Sequence, residues 1–282
     1  NFKVGEGYGY VKEYLPVTDN YGIATIGSWT LGIKVGINKL TASVTQGVNN
    51  TSIEPVEVEF EVEGIADQAI KFDVVEEPVT GAPPVNQSNI DSEKPNSKSP
   101  KNNSGKPIPV QPRIKIYDQY GNLANSNASV TVKVNDGILS CNVDCHIHNN
   151  TATINAVQGI ATFIDLALEG KVGQDILWKG EKWKTIVKTG YFMTFHSHGL
   201  ESDNRIYRLE LTPGNPYQLV IIEPTSPIEV TNGAILTPLK VKFRDSAGNL
   251  IDSTNQDGGG NTVTDSNEII NISIDGDENF SL

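Results

Sequence analysis

Apolar and polar residues alternate along short stretches of this chain. From Val56 to Val62 the apolar positions Val56, Val58, Phe60 and Val62 are separated by Glu57, Glu59 and Glu61. Arg113-Ile114-Lys115-Ile116-Tyr117, Ser129-Val130-Thr131-Val132-Lys133-Val134 and Leu239-Lys240-Val241-Lys242-Phe243 follow the same rule. A period of two sends successive side chains to opposite faces, so each run predicts a strand with one buried and one wet face. Gly (26 residues) and Pro (15) gather between the runs, where turns need them. No window carries a capped apolar helical stripe. Strands at roughly 8–12 residue spacing predict an all-β fold of sandwiches.

Motifs recur. Gly22-Ile23-Ala24-Thr25 returns as Gly159-Ile160-Ala161-Thr162, an offset of 159 − 22 = 137. Asp118-Gln119-Tyr120-Gly121-Asn122 returns as Asp245-Ser246-Ala247-Gly248-Asn249, an offset of 245 − 118 = 127. The strand beginning at Lys71 returns at Gln218, an offset of 218 − 71 = 147. Offsets this similar indicate a tandem array with insertions. The motif order places the C-terminal half of one unit in residues 1–66. A complete unit spans 67–213, and the N-terminal part of a third spans 214–282. Half a sandwich leaves an open apolar face, so either partner strands come from elsewhere or the parent chain continues on both sides.

Asp118 to Asn122, the strand Val130 to Val134, Gly22 to Ala24 and Trp29-Thr30-Leu31-Gly32 together resemble the bacterial immunoglobulin-like domains of the invasin and intimin type. The middle unit departs from that pattern, with Leu166-Ala167-Leu168-Glu169 in place of the Trp-Thr-Leu-Gly run. The resemblance implies tandem immunoglobulin-like β-sandwiches strung along a cell-surface or secreted protein. It implies spacer and adhesive roles rather than catalysis. The expected partners are neighbouring domains or subunits of the same protein and a host or cell-surface ligand. Trp29 is expected to fill a sandwich core.

Charge narrows the classes. Lys plus Arg number 22 and Asp plus Glu 34, a net charge of −12, which argues against a nucleic-acid partner or an anionic membrane surface. No apolar stretch is long enough for a membrane span. The chain opens at Asn1 and its one Met is Met193, which reads as a processed product or an excised fragment. Residues 79–112 are rich in Pro, Ser, Asn and Lys. They read as a long exposed loop inside the middle unit, because so few apolar side chains offset little ordering entropy.

Both cysteines and all four histidines fall in two short stretches, Cys141 to His148 and His196 to His198. For Cys141 and Cys145 the first reading is a disulfide closing a small loop. His146, His148, His196 and His198 form two His-x-His pairs, each suited to present two imidazoles on one strand face to zinc or copper. Cys141, Cys145 and His146 also form a loosened c-type haem motif, one residue longer than the usual spacing. Asp252, Asp257 and Asp265 line a Gly-rich stretch that could bind Ca²⁺. No nucleophile elbow, phosphate loop or zinc-protease helix is present, so a non-enzymatic role is expected. The leading reading is an extracellular structural or adhesive repeat segment, a spacer, stalk or fibre subunit. The alternative is a metal- or haem-carrying β-module.

Overall fold

The computed structural model describes residues 1–46, 52–78, 85–86, 102–172, 175–178, 186–202, 204–223, 229 and 240–251. Among them every regular element is a strand. Residues 1–66 carry β1 (Phe2–Val4), β2 (Tyr10–Lys12), β3 (Ser28–Thr30), β4 (Gly36–Gln46) and β5 (Ser52–Gly64). The middle segment continues with β6 (Lys71–Glu76), β7 (Val85–Asn86), β8 (Asn102–Asn103), β9 (Arg113–Tyr117), β10 (Ser129–Val134), β11 (Ile138–Ser140) and β12 (His146–His148). Then come β13 (Thr151–Asn155), β14 (Ile160–Thr162), β15 (Ala167–Glu169), β16 (Asp175–Trp178), β17 (Ile186–Thr189), β18 (Tyr191–Ser197), β19 (Arg205–Leu209) and β20 (Leu211–Thr212). The last segment shows β21 (Gln218–Glu223) and β22 (Lys240–Arg244). Three of the alternating runs fall on β5, β9 and β10, and the fourth falls on β22 from Lys240 onward, Leu239 lying outside the described residues.

One contiguous core lies in the middle segment. It draws side chains from a six-stranded sheet, β12-β13-β10-β18-β19-β7, and a three-stranded sheet, β14-β9-β6. Val130, Val132 and Val134 on β10 and Ile114 and Ile116 on β9 are 0% exposed, the inward half of each alternation. Phe195 lies between Phe163 and Tyr207, with ring centroids at 6.1 and 5.6 Å, and the Tyr207 ring meets it edge-on.

The first and middle segments share a pattern of strand pairing. In the first segment the sheet order is β1-β4-β5 and β2 pairs β3; in the middle segment β10-β18-β19 run side by side and β11 pairs β15. Val4 faces Leu40, which faces Phe60; Val134 faces Met193, which faces Tyr207. The hairpin β21–β22 repeats β6–β9, with Gln218 opposite Arg244 as Lys71 is opposite Tyr117. Burial differs sharply between the copies. Met193 and Tyr207 are 0% exposed, whereas Phe60 is 47% and Val58 54% exposed. The first segment has the β1-β4-β5 sheet but no described counterpart of β6–β9 lies over it. Trp29 is half-buried on β3, in the small β2–β3 sheet, and is not part of the core.

The reading of 79–112 as one exposed loop fails at its C-terminal end. Ile108 is 2% exposed and belongs to the core, and its amide donates to the Leu166 carbonyl at 2.8 Å. The Gln111 side chain bonds in both directions, donating to the Ile108 carbonyl and accepting from the Leu166 amide. Ile108, the Gln111 amide and Ser104, whose hydroxyl bonds Gly170, together dock a stretch whose composition is otherwise that of a loop. Residues 79–84 and 87–101 lie outside the described residues.

Burial of this kind sets a contrast that denaturation can read. Ile114→Ala should cost about 2–5 kcal/mol, transfer plus cavity, whereas Val58→Ala on the open face should cost about 0.5 kcal/mol or less. Urea titrations followed by circular dichroism would compare the two.

Candidate functional site at the joints between segments

The Asp-x-x-Gly-Asn motif is a turn before it is anything else. The Asp118 carboxylate accepts the Tyr120 and Asn122 amides through Oδ1 at 2.9 and 2.8 Å, and the Gly121 amide closes on the Asp118 carbonyl. Gly121 sits at φ +85°, where a side chain would be strained. The same turn forms at Asp245, which accepts the Asn249 amide at 2.7 Å, with Gly248 at φ +78°.

In both copies this turn is also a joint. Asp118 Oδ2 accepts the amide of Asp67, where the middle segment begins, at 3.0 Å. Asp245 Oδ2 accepts the amide of Gly214, where the last segment begins, at 2.7 Å. The asparagine then reaches the preceding segment. Asn122 Nδ2 donates to the Ile33 carbonyl at 2.8 Å and its Oδ1 accepts from the Val35 amide at 3.3 Å. Asn249 Nδ2 donates to the Gly170 carbonyl at 2.8 Å and its Oδ1 accepts from the Val172 amide at 2.8 Å. The partners obey the sequence repeat: 170 − 33 = 137, 172 − 35 = 137, 249 − 122 = 127 and 214 − 67 = 147. Two junctions built independently from one sequence motif therefore carry one hydrogen-bond set.

Each receiving loop is braced from within its own segment. In the first, Asn38, 1% exposed, accepts the Gly32 amide and donates to the Gly36 carbonyl. In the middle one the Tyr191 hydroxyl donates to the Lys171 carbonyl at 3.0 Å; burial pushes its phenol up, which keeps the proton on the donor. Lys171 adds a hydrogen bond from Nζ to the Ala247 carbonyl. Gly214 must be glycine on steric grounds, since a Cβ there would meet the Ser104 carbonyl oxygen at 2.3 Å.

Asp118 and Asp245 are 0% and 2% exposed. Burial alone would raise the Asp118 carboxyl. Donation from the Asn122 side chain and from the Asn122, Asp67 and Tyr120 amides outweighs it and holds the carboxyl below its ordinary range. The turn therefore carries a buried carboxylate stabilised by amide dipoles, and Asn122 on its far side carries the link to the first segment.

The cysteine and histidine stretches lie elsewhere. Cys141 and Cys145 form a disulfide, with Cα atoms 6.1 Å apart, packed against the core. Haem attachment needs free thiols, and both are used in this bond, so the described structure gives the haem reading no anchor. His146 and His148 lie on β12, the edge of the six-stranded sheet, and His196 on β18. A single row runs His146, Thr153, Thr131, His196 across four adjacent strands. Three strand spacings separate the two imidazoles by about 14 Å, whereas ligands sharing one zinc lie within ~2.1 Å of it. His198 sits in the turn after β18. His146 and His196 thus share a face but not a metal, and among the described residues no group of three or more His, Cys, Asp or Glu is placed to hold one. His196 instead bonds Thr194 at 2.9 Å, and burial, then the nearby Lys133 charge, pulls its imidazole down toward the neutral form. Asp252, Asp257 and Asp265 lie outside the described residues.

The disulfide closes a five-residue loop, so its constraint on the unfolded chain is small. Replacing both cysteines by serine should lower stability by about 2 kcal/mol. Equal denaturation midpoints for that variant and the parent would show that the bond does not contribute. Sequence reasoning identified the Asp and Asn of the turn but missed that they join segments. The signal was present in part, since the loops at 33–35 and 170–172 are related by the same 137-residue offset as the Gly-Ile-Ala-Thr motifs.

No family model matches the chain, and no curated protein matches it. Among solved structures, a β-glucuronidase of Parabacteroides merdae aligns at 13% identity with a TM-score of 0.27, over 64% of this chain and 17% of that one. The same enzyme with glycerol in its active site aligns at 15% identity and TM-score 0.25, over 65% of this chain and 17% of that one. FdeC, an Escherichia coli adhesin, aligns at 13% identity and TM-score 0.37, over 88% of this chain and 62% of that one. The chain therefore spans less than two thirds of each of these proteins.

Proposed function

We propose that this chain is a non-enzymatic, extracellular structural or adhesive segment, built from tandem immunoglobulin-like β-sandwich units and acting as a spacer whose joints are locked. The observation that carries the reading is the duplicated joint. A spacer transmits position and load from one unit to the next, so its chemistry belongs at the junctions and repeats with them. A buried carboxylate fixes each turn, and a bidentate asparagine ties that turn to the unit before it. The Cys141–Cys145 disulfide supports an oxidising compartment outside the cell. The partners in this reading are neighbouring units of the same kind and a surface ligand held at a distance.

Small-angle scattering tests the locked joints, on dilute protein to suppress association. A spacer of this type scatters as one rigid particle of fixed maximum dimension. Scattering that requires an ensemble of independently oriented segments would overturn the reading.

A further inference from the structure

Three features of the middle segment recur in the outer segments without the partners they have there. The first is a sheet face. Val132, Val134, Met193, Phe195 and Tyr207 on β10-β18-β19 are at most 4% exposed. The matching rows of β1-β4-β5 are Phe2-Ala42-Val58 and Val4-Leu40-Phe60. Asn38 and Leu40 are buried there, but Val44, Val56, Val58 and Phe60 are 53, 61, 54 and 47% exposed, an open apolar patch. The second is a hairpin. β6–β9 turns Phe72, Val74, Ile114 and Ile116 into the core at 0–3% exposure. β21–β22 has the same register, with Leu219 opposite Phe243, Ile221 opposite Val241 and an irregularity before Glu223, as Phe72 is opposite Ile116, Val74 opposite Ile114 and an irregularity precedes Glu76. Yet Leu219 and Ile221 are 45 and 65% exposed, and Val241 and Phe243 only half-buried. The third is a strand. β14 pairs with β9, whereas its counterpart Ile23-Ala24-Thr25 has no strand partner among the described residues, and Ile23 is 60% exposed.

The open sheet lacks a hairpin, and the open hairpin lacks a sheet. We propose that the β21–β22 hairpin of a second copy of this chain packs face to face on the β1-β4-β5 sheet, setting Leu219, Ile221, Val241 and Phe243 against Val58, Phe60 and their neighbours. The middle segment supplies the precedent, since the same hairpin register lies there over the same strand pairing. The contact is made by the face of the hairpin, and the edge of β22 does not obstruct it. Ile251 and Leu250 occupy that edge at Phe243 and Arg244, as Ala124 and Leu123 occupy β9 at Ile116 and Tyr117, and β9 still takes β14 at Arg113 to Lys115. Among the described residues nothing pairs with Lys240 to Lys242 on that side, which leaves them to Ile23-Ala24-Thr25 of the copy that supplies the sheet. The Asp245 turn keeps its joint in this arrangement, because β6–β9 carries both its packing and the Asp118 joint at once. The two contacting patches differ, so the contact is heterologous and propagates into a linear array instead of closing as a two-fold dimer.

Sedimentation and light scattering of the full chain give the test. Association should rise with protein concentration, pass beyond the dimer and persist at about 500 mM salt, because salt does not screen an apolar contact. The double variants Val58→Glu/Phe60→Glu and Leu219→Glu/Ile221→Glu alter exposed side chains, and each should associate at least about tenfold more weakly than the parent. Mixed together they should form one-to-one dimers and stop there, since only the hairpin of the first and the sheet of the second remain intact. Folded Leu219→Glu/Ile221→Glu protein that still dimerises would pair sheet with sheet and overturn the proposal. A mixture that stays apart, or that grows into chains, overturns it as well. The concentration series on the unaltered chain decides even if a variant fails to fold: a monomer at about 500 µM means that another segment, of this chain or of a different partner, covers the sheet, and overturns the interface. Rigid scattering of the dilute monomer stands or falls separately, so failure here leaves the locked joints in place.

Discussion

Asp118→Ala should lower the stability of the middle segment by about 3–4 kcal/mol, among the largest losses available to a single substitution outside the core. The side chain is fully buried and receives four donors, the amides of Asp67, Tyr120 and Asn122 and the Asn122 side chain. Bonds to a charged acceptor contribute more than neutral ones, and deletion leaves their donors unsatisfied in a site that water enters poorly. Asp118→Asn should lose less, because one oxygen remains to accept Tyr120 and Asn122, while its amide nitrogen opposes the Asp67 donor. The acid limb carries a second signature. Because the folded-state carboxyl lies below its unfolded value, its stabilisation is complete above about pH 4 and is lost as pH falls through the folded value. The parent should therefore lose stability below about pH 4 more steeply than Asp118→Ala does. Urea midpoints across pH, with hydrogen exchange at the Asp67, Tyr120 and Asn122 amides, would measure both effects. A loss under ~1 kcal/mol with unchanged exchange at Asp67 would mean the turn holds without its carboxylate.

The parts of this fold legible in the sequence are those whose physics is local. Alternation located β5, β9, β10 and β22 because a half-buried strand needs only a period of two. The Asp-x-x-Gly-Asn turns were legible because the aspartate, the positive-φ glycine and the bonds that close the turn lie within five residues. Residues 102–112 were misread because composition averages over a window, and Ile108 and Gln111 act singly through partners more than fifty residues away. The histidines show the same limit from the other side. Spacing suggests two imidazoles per strand, which β12 carries, but His198 lies in the turn after β18, and only strand order shows that β13 and β10 stand between His146 and His196. Most of all, the asparagine that ends the turn looks like turn chemistry, because its cross-segment partners at 33 and 35 lie 89 and 87 residues away.

That asparagine offers the cleanest separation of joint from fold. Asn122→Ala removes both bonds to the first segment and one to Asp118, yet leaves the three amide donors of the turn in place. Its cost in stability should be about 1 kcal/mol, far below that of Asp118→Ala. Its effect on geometry should be large, since those are the side-chain hydrogen bonds that tie Ile33 and Val35 to the turn. In weakly aligned protein the amides of residues 1–66 and 67–213 should report one alignment tensor in the parent and two in Asn122→Ala. Asn249→Ala should do the same for the last segment without disturbing the first, because the two joints share no partner and their effects should add. A single tensor retained in Asn122→Ala would place the coupling in the packing of the loops themselves. If the tensor splits while stability barely moves, position along the array is governed by a residue that folding hardly requires, and joint stiffness can change independently of the units it connects.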